Sequence, residues 1–255
     1  TINLQGLSGA NVKIMIDGVP LIGRLDGELD LSQINMNNIE RVEIVEGPLS
    51  VIYGSNALAG VINLITKKTQ QNKIESEVNG YYESVGNYNV NATAGLKVKN
   101  HFLQLGGGRY FFKGWNDGKY DRDLSWDPKE VYFADLSYVY RTKNDWFNRF
   151  KLSFFDDRML DRKDQNGPFT IADDQWFKTR KIDAAYILNG TYKTNYYLQS
   201  TNSYNNYRRI KNTYTKDLAT LSSTLKDNTA FSTFQDTTTL QQFVSRTFIA
   251  YNPKG

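Results

Sequence analysis

The chain has 255 residues, a net charge of +4 and no cysteine. The lack of cysteine excludes disulfides, thiolate metal ligands and cysteine nucleophiles. The 31 basic and 27 acidic residues are spread along the chain without a basic stripe, so we expect no nucleic-acid partner.

The first 69 residues alternate short apolar segments with glycine-rich turns. Val12 to Ile16 is a predicted strand that ends in an Asp-Gly turn, and Ile39 to Val45 and Val61 to Thr66 are predicted as two more. Ser50 to Tyr53, which lies between a Gly-Pro pair and a glycine, favours a short helical turn. The pattern predicts a compact α/β domain over residues 1–69, followed by a polar linker.

Residues 70–255 follow a different pattern, with longer segments rich in Tyr, Phe, Thr and Val. Apolar and polar residues alternate in them, as expected for strands with one apolar and one polar face. We predict eight strands, near residues 73–85, 88–99, 102–113, 130–142, 146–157, 179–192, 196–210 and 238–251.

The predicted connections alternate in length after the first hairpin. Most are short, whereas 114–129, 158–178 and 211–237 are long. Short turns at one rim and long loops at the other are typical of outer-membrane barrels. A soluble β-domain, the alternative, does not need this asymmetry.

The hydropathy of the chain agrees with a barrel. No run of 18 apolar residues occurs, which excludes a transmembrane helix. The mean hydropathy is −0.56, and barrel strands keep this value low because their lumen-facing residues are polar.

Three ordered motifs in the first domain carry a family resemblance. They are Val12 to Leu21 with its Asp-Gly turn, Ile39 to Pro48, and Tyr53 to Lys68. Together they resemble the C-terminal half of the plug of TonB-dependent outer-membrane receptors. The resemblance implies a mainly β fold, in which a transmembrane antiparallel β-barrel of about 22 strands surrounds an α/β plug.

The resemblance also implies a function and partners. Such receptors import a scarce nutrient across the outer membrane of a Gram-negative bacterium, with no covalent chemistry and no cofactor. The implied partners are the TonB–ExbB–ExbD complex, outer-membrane lipid, a small-molecule ligand and, as a further candidate, a surface lipoprotein. The chain is therefore not expected to be an enzyme.

Barrel size predicts that more strands belong to the protein. An eight-stranded barrel has room inside for its own side chains or one small ligand, but not for a plug domain. We therefore expect about eight strands of the full barrel in this chain, with further strands after Gly255 and a TonB box before Thr1.

Two groups of residues are candidates for the site. The resemblance places the segment from Gly23 to Glu28 in an apical plug loop that faces the ligand, which makes Arg24, Leu25, Asp26 and Glu28 candidate ligand contacts. A solvated loop is the alternative. The candidate contacts between plug and barrel are charges on the second predicted plug strand, namely Arg41, Glu43 and Glu46, for which surface ion pairs are the alternative.

Other chemistry has little support in the sequence. His101 is the only histidine and lies in a predicted turn, where we expect a structural role. We therefore predict no Ser/His/Asp triad and no metal site. Four aspartates of the first long loop could bind calcium, but their spacing does not match an EF-hand: Asp117, Asp121, Asp123 and Asp127. A second acidic group, interleaved with basic residues, is interpreted as a solvated loop: Asp156, Asp157, Asp161, Asp164, Asp173 and Asp174.

The ligand is the least determined part of the hypothesis. The amino-acid sequence of the plug motifs most resembles that of haem and iron-chelate receptors of Bacteroidetes-type bacteria, so haem or an iron chelate is the leading ligand. Cobalamin, a peptide or a glycan are alternatives, as are a non-transporting outer-membrane binding or assembly component and a soluble β-rich lectin or enzyme.

Overall fold

The computed structural model describes residues 3–4, 7–8, 11–25, 28–29, 33–47, 57–67, 72–117, 122–165, 170–193 and 195–252. Within these ranges the chain forms strands and one 3-10 helix, and no helix there is long and apolar enough to cross a membrane. The helical turn predicted at residues 50–53 and the predicted domain boundary after residue 69 lie outside the described residues.

The N-terminal region is built of short strands. They are β1 (Asn3–Leu4), β2 (Leu7–Ser8), β3 (Val12–Ile16), β4 (Val19–Pro20), β5 (Arg24–Leu25), β6 (Glu28–Leu29), β7 (Ile39–Glu46) and β8 (Gly60–Thr66), with the 3-10 helix Met36–Asn38 before β7. Four of them form one sheet in the order β4-β3-β8-β7, in which β3 and β8 run parallel.

The core of this region lies around β8. Six of the seven β8 residues are buried, as expected for an apolar central strand covered on both faces. The larger buried cluster packs β8 against β3: Val12, Ile14, Ile34, Ala59, Ile62 and Leu64. This packing fixes the position of the turn that follows β3.

The remaining strands form one antiparallel sheet. They are β9 (Ile74–Glu83), β10 (Asn87–Val98), β11 (His101–Phe112), β12 (Lys129–Arg141), β13 (Phe147–Gln165), β14 (Ile171–Tyr192), β15 (Tyr196–Asp217), β16 (Ser223–Leu225) and β17 (Gln235–Tyr251). Neighbours in sequence pair from β9 to β15, and β15 then pairs with both the short β16 and the long β17. All eight predicted strands are present, with β16 as an addition.

The two faces of this sheet differ in chemistry. One face contacts the N-terminal region, and we call it the inner face; Arg149 and Lys151 lie on it. The outer face carries exposed apolar residues such as Leu105, Leu152 and Ile182. A polar inner face and an apolar outer face are those of a transmembrane barrel wall, which confirms the predicted mainly β class with a partial barrel.

The prediction was wrong about the second long loop. Residues 158–178 were predicted as loop, but β13 extends to Gln165 and β14 begins at Ile171. The alternating pattern fades there because charged residues occupy both faces, whereas backbone pairing continues. All six members of the second acidic group therefore lie in strands and not in a solvated loop: Asp156, Asp157, Asp161 and Asp164 in β13, and Asp173 and Asp174 in β14.

Candidate functional site at the plug–barrel interface

The site begins at the turn between β3 and β4. Ile16 pairs with Val19, so Asp17 and Gly18 are the two loop residues. Their φ angles are +50° and +79°, as a type I′ hairpin turn requires, and Asp-Gly is a preferred pair for this turn. The turn directs the Asp17 side chain at the inner face of the barrel wall.

Asp17 forms a buried ion-pair cluster with strand β13. Lys151 Nζ lies 2.5 Å from Asp17 Oδ2, and Arg149 Nη1 lies 3.2 Å from the same oxygen. The side chains of Asp17, Arg149 and Lys151 are only 7%, 9% and 13% exposed. Since one partner belongs to the N-terminal region and two belong to the barrel wall, the cluster connects the two.

Hydrogen bonds complete the cluster. The Thr66 hydroxyl donates to Asp17 Oδ2 at 2.7 Å, and its backbone N–H donates to Asp17 Oδ1 at 3.0 Å. Arg149 Nη2 donates to the same hydroxyl at 2.9 Å, and its Nε donates to Ser137 Oγ on β12 at 3.0 Å. Both carboxylate oxygens of Asp17 are thus satisfied, as a buried charge requires.

The charge state of Asp17 follows from these contacts. Burial acts to raise its pKa, but the nearby charges of Lys151 and Arg149 and the hydrogen bonds from Lys151 and Thr66 outweigh this effect. The pKa of Asp17 is lowered from 3.8 to about 2. The carboxylate is therefore ionised at physiological pH.

Two further contacts hold the β3–β4 hairpin and the segment after it. Arg246 Nη2 on β17 donates to the carbonyl oxygen of Gly18 at 3.4 Å. Gly23 has a φ of +98°, and a Cβ added there would lie 2.5 Å from the ring of Tyr207 on β15. Only glycine fits this close approach between the N-terminal region and the barrel wall.

A polar crevice lies beside the ion-pair cluster. It separates the N-terminal region from strands β9 to β14, and its floor includes Arg149 and Lys151. Most of the residues that line its barrel side are polar or glycine: Asn91, Thr93, Gln104, Gly106, Gly107, Asp135, Ser137, Lys181 and Asp183. A polar interface between two packed bodies can be hydrated, and it can separate at a lower cost than an apolar core.

The predicted ligand contacts lie just after this anchored hairpin. Arg24 and Leu25 form β5, which pairs antiparallel with β6, so that Arg24 opposes Leu29 and Leu25 opposes Glu28. Asp26 lies outside the described residues. The backbone thus brings Arg24, Leu25 and Glu28 into one pair of short strands, and the role of all four candidates in ligand binding stays a prediction.

The predicted plug–barrel charges lie on β7. Arg41 Nη2 is 2.8 Å from Glu43 Oε1 on the same strand, and both side chains are more than 40% exposed. Glu43 also accepts a hydrogen bond of 3.4 Å from Asn63. Arg41 and Glu43 line a cleft that faces Arg141 and Asn189 of the barrel wall, while the role of Arg41, Glu43 and Glu46 as plug–barrel contacts stays a prediction.

The loop aspartates contact cations and backbone. Asp123 Oδ1 lies 3.7 Å from Lys163 Nζ, and the Asp123 N–H donates to Asp164 at 3.1 Å. Arg122 pairs with Asp174 at 2.5 Å. No group of three or more His, Cys, Asp or Glu side chains within the described ranges could hold a metal ion. Asp121 lies outside those ranges.

His101 lies on the outer wall. It begins β11, its Nδ1 is 2.7 Å from the Tyr138 hydroxyl, and its ring stacks on Tyr140 with 4.7 Å between centroids. Exposed tyrosines also occur at the same end of β14 and β15. Rings with a polar tip are typical of a membrane–water interface.

Sequence reasoning missed the role of Asp17. A tight turn fully accounts for the Asp-Gly pair, so the sequence gives no reason to expect a second role for the Asp17 carboxylate. Arg149 and Lys151 did carry a signal, because both lie on the polar face of a predicted strand. Without the tertiary structure, however, no pattern links these residues to a turn that precedes them by more than 130 positions.

Comparison with known proteins agrees with this geometry. Residues 1–61 match the family described as TonB-dependent Receptor Plug Domain. Similar solved structures include the FpvAI–pyocin S2 complex (TM-score 0.62, 13% identity, 95% of this chain and 44% of that chain). The copper transporter OprC also matches, with a TM-score of 0.56 and 14% identity over 88% of this chain and 42% of that chain. The siderophore receptor PirA from Acinetobacter baumannii matches with a TM-score of 0.51 and 13% identity over 84% of this chain and 47% of that chain. The chain spans less than half the length of each.

The fold and the interface define the class as an outer-membrane-type β-barrel whose wall packs against an internal plug. Within this class, residues 1–61 are similar to the plug domain of TonB-dependent receptors. The strands that follow have the barrel fold of the solved receptors and transporters.

Proposed function

We propose that the chain acts in TonB-dependent uptake of a scarce nutrient, with haem or an iron chelate as the ligand. The observation that carries this proposal is the plug held against the inner barrel wall by the Asp17 cluster beside a polar crevice. A plug that is anchored at one point and faces a polar crevice at another suits a gate that moves under force.

The proposal includes location and partners. The protein lies in the outer membrane of a Gram-negative bacterium, residues 1–69 belong to the plug and residues 70–255 to the barrel. TonB–ExbB–ExbD supplies the force, and a surface lipoprotein is a further candidate partner. The protein performs no covalent chemistry.

The ligand class draws on the names of similar structures. PirA is described as a siderophore receptor and OprC as a copper transporter, which supports a metal-bearing ligand. If haem is the ligand, its iron is not bound by a histidine of this chain, because the only one, His101, lies on the outer wall. A tyrosine or a partner protein would take that role.

The ligand is tested by growth. The gene is deleted, and growth is measured with haem, a ferric siderophore or cobalamin as the limiting nutrient, with the intact gene restored as a control. We expect slow growth on haem or on the ferric siderophore alone. Normal growth on both would eliminate the proposed ligand class, and a defect on cobalamin alone would select that alternative.

The apical hairpin is tested by binding. Replacement of Arg24, Asp26 and Glu28 by alanine should weaken ligand binding to whole cells by roughly tenfold or more, since a few residues carry most binding energy. The control replaces Lys143 and Asp145, which lie in a short turn at the opposite rim. Equal binding by both variants would remove these residues from the site.

Energy coupling separates transport from mere binding. An uncoupler should abolish uptake while surface binding persists. Binding that is never followed by uptake, even in energised cells, would favour a non-transporting outer-membrane component.

A further inference from the structure

The outer face of the barrel wall carries a patch of cations on three neighbouring strands, just past the middle of each strand when counted from the short turns β12–β13 and β14–β15. We call the direction away from these short turns upward. We call Arg158 of β13, Lys178 and Arg180 of β14 and Arg208 of β15 the cation patch. In the strand register Arg158 lies opposite Lys178, and Arg180 lies opposite Arg208. Like charges directly across two strands destabilise a sheet.

Carboxylates compensate only part of this charge. Asp156 is within 3.0 Å of both Arg158 and Arg180, so one carboxylate serves two guanidinium groups. Glu130 of β12 lies opposite Arg158 in the register, but its ion pair is with Arg109. Among the residues that the structure describes, neither Lys178 nor Arg208 forms an ion pair with a carboxylate. The patch therefore has an excess of positive charge, and Arg158 and Arg180 remain about half exposed.

The surroundings of the patch are apolar on one side. Phe154 and Ile182 lie next to it on the outer face, and both are exposed. Arg158 and Lys178 also border a shallow depression with Trp176 and Ile210. The patch thus joins a charged surface to an apolar one.

The height of the patch matches a headgroup layer. Arg180 and Arg208 lie roughly 35 Å above the turn between β14 and β15, at about 2.5 Å per residue of a tilted strand. The apolar band of such barrels is about 25 Å tall. The cations therefore lie above the hydrocarbon, while Phe154 and Ile182 lie close to its upper edge.

We propose that the cation patch binds the phosphate-bearing headgroup of an outer-leaflet lipid, whose acyl chains pack on Phe154 and Ile182. This inference rests on the proposed outer-membrane placement. Guanidinium groups bind phosphate oxygens in a bidentate manner, and a phosphate between Arg180 and Arg208 relieves their repulsion. A lipid fits better than a free phosphate because the cations are continuous with the apolar band.

The test compares two double variants of the full-length protein. Arg180→Gln with Arg208→Gln removes two charges from the patch. The control, Arg209→Gln with Lys211→Gln, removes two charges from the inner face of β15, where both cations lie over the Phe177 ring. A heat-modifiable gel band verifies that each variant retains a folded barrel.

Binding is measured by native mass spectrometry with diphosphoryl lipid A, with the same lipid after removal of its phosphates, and with inorganic phosphate as competitor. We expect the patch variant to bind diphosphoryl lipid A roughly thirtyfold more weakly than wild type, because it lacks two cations and each contributes about one kcal/mol. The control variant should bind diphosphoryl lipid A as well as wild type does. The dephosphorylated lipid should bind wild type and the patch variant equally.

Equal lipid retention by wild type and the patch variant would overturn the proposal. Displacement of the lipid by inorganic phosphate at equal concentration would overturn its lipid specificity. Cell fractionation and the growth tests report on the proposed function separately, so a failure of lipid binding leaves that function intact.

Discussion

At the residue scale, the carboxylate of Asp17 links plug and barrel through a buried ion-pair cluster. It accepts contacts from Lys151, Arg149 and Thr66 while its backbone forms a tight turn. Breaking one partner of a buried ion pair is costly, because the other charges remain buried without compensation. The energetic role of Asp17 therefore exceeds that of a turn residue.

Asp17→Asn should loosen the hairpin and leave the turn intact, since asparagine also tolerates positive φ. We expect a destabilisation of about 3 kcal/mol, measured by hydrogen exchange of the Asp17 amide, which donates to Leu64 O at 2.9 Å. The control is Asp145→Asn, an exposed turn residue with φ +56°. Equal protection in both variants would falsify the anchoring role.

The same residue predicts a pH dependence. The folded pKa of Asp17, about 2, is below its ordinary value of 3.8. A lowered pKa means that the stabilisation is fully present above the unfolded value and is lost as the pH falls through the folded value. The lowered pKa of Asp17 corresponds to about 2 kcal/mol of folding stability.

The difference in hairpin protection between wild type and Asp17→Asn should therefore be constant above about pH 4 and shrink as the pH falls toward 2. Hydrogen exchange at a series of pH values, corrected for the intrinsic rate, measures it. A difference that begins to fall near neutral pH would assign the effect to another group.

At the element scale, the segment that follows β4 lies close to β15 because Gly23 has no side chain. Gly23 faces the Tyr207 ring, and its φ of +98° strains any other residue. Gly23→Ala should destabilise this contact by about 2 kcal/mol, from backbone strain and overlap with the ring. Faster hydrogen exchange of the Leu21 amide, which donates to Ile14 O at 2.9 Å, reports the change.

Gly80 is the matched control for this substitution. It lies in β9, and an added Cβ would meet nothing within 4 Å. Gly80→Ala should leave the Leu21 amide unchanged. If both alanines act alike, the contact with Tyr207 does not position the segment.

At the scale of the whole molecule, β13 to β15 are far longer than a membrane requires. They have 19, 22 and 22 residues, whereas a membrane strand needs about 9–11. Their upper parts should therefore extend beyond the hydrocarbon of the membrane, and the cation patch lies where the strands leave it.

Single cysteines test this orientation, because the chain has none of its own. Trp176 and Tyr186 lie on the outer face of β14 and are similarly exposed, at 46% and 41%. In whole cells a membrane-impermeant maleimide should label Trp176→Cys and leave Tyr186→Cys unlabelled until detergent is added. Labelling of both, or of Tyr186→Cys alone, would contradict the proposed depth.

The sequence by itself determined the classes of structure and the positions of most strands. Alternation of apolar and polar residues is a local property, so the eight barrel strands and the order of plug before barrel were predictable. The parts of β13 and β14 beyond residues 157 and 179 were not, because charges occupy both faces there and the alternation disappears although backbone pairing continues.

Only the tertiary structure decided which residues meet. The ion pair between Asp17 and Lys151, the approach of Gly23 to Tyr207 and the opposition of Arg180 to Arg208 all depend on sheet register and on the seating of the plug. Such contacts join distant parts of the chain and leave no periodic trace in either part. The sequence predicts each strand and its faces, whereas the partner of each side chain follows from how the strands are assembled.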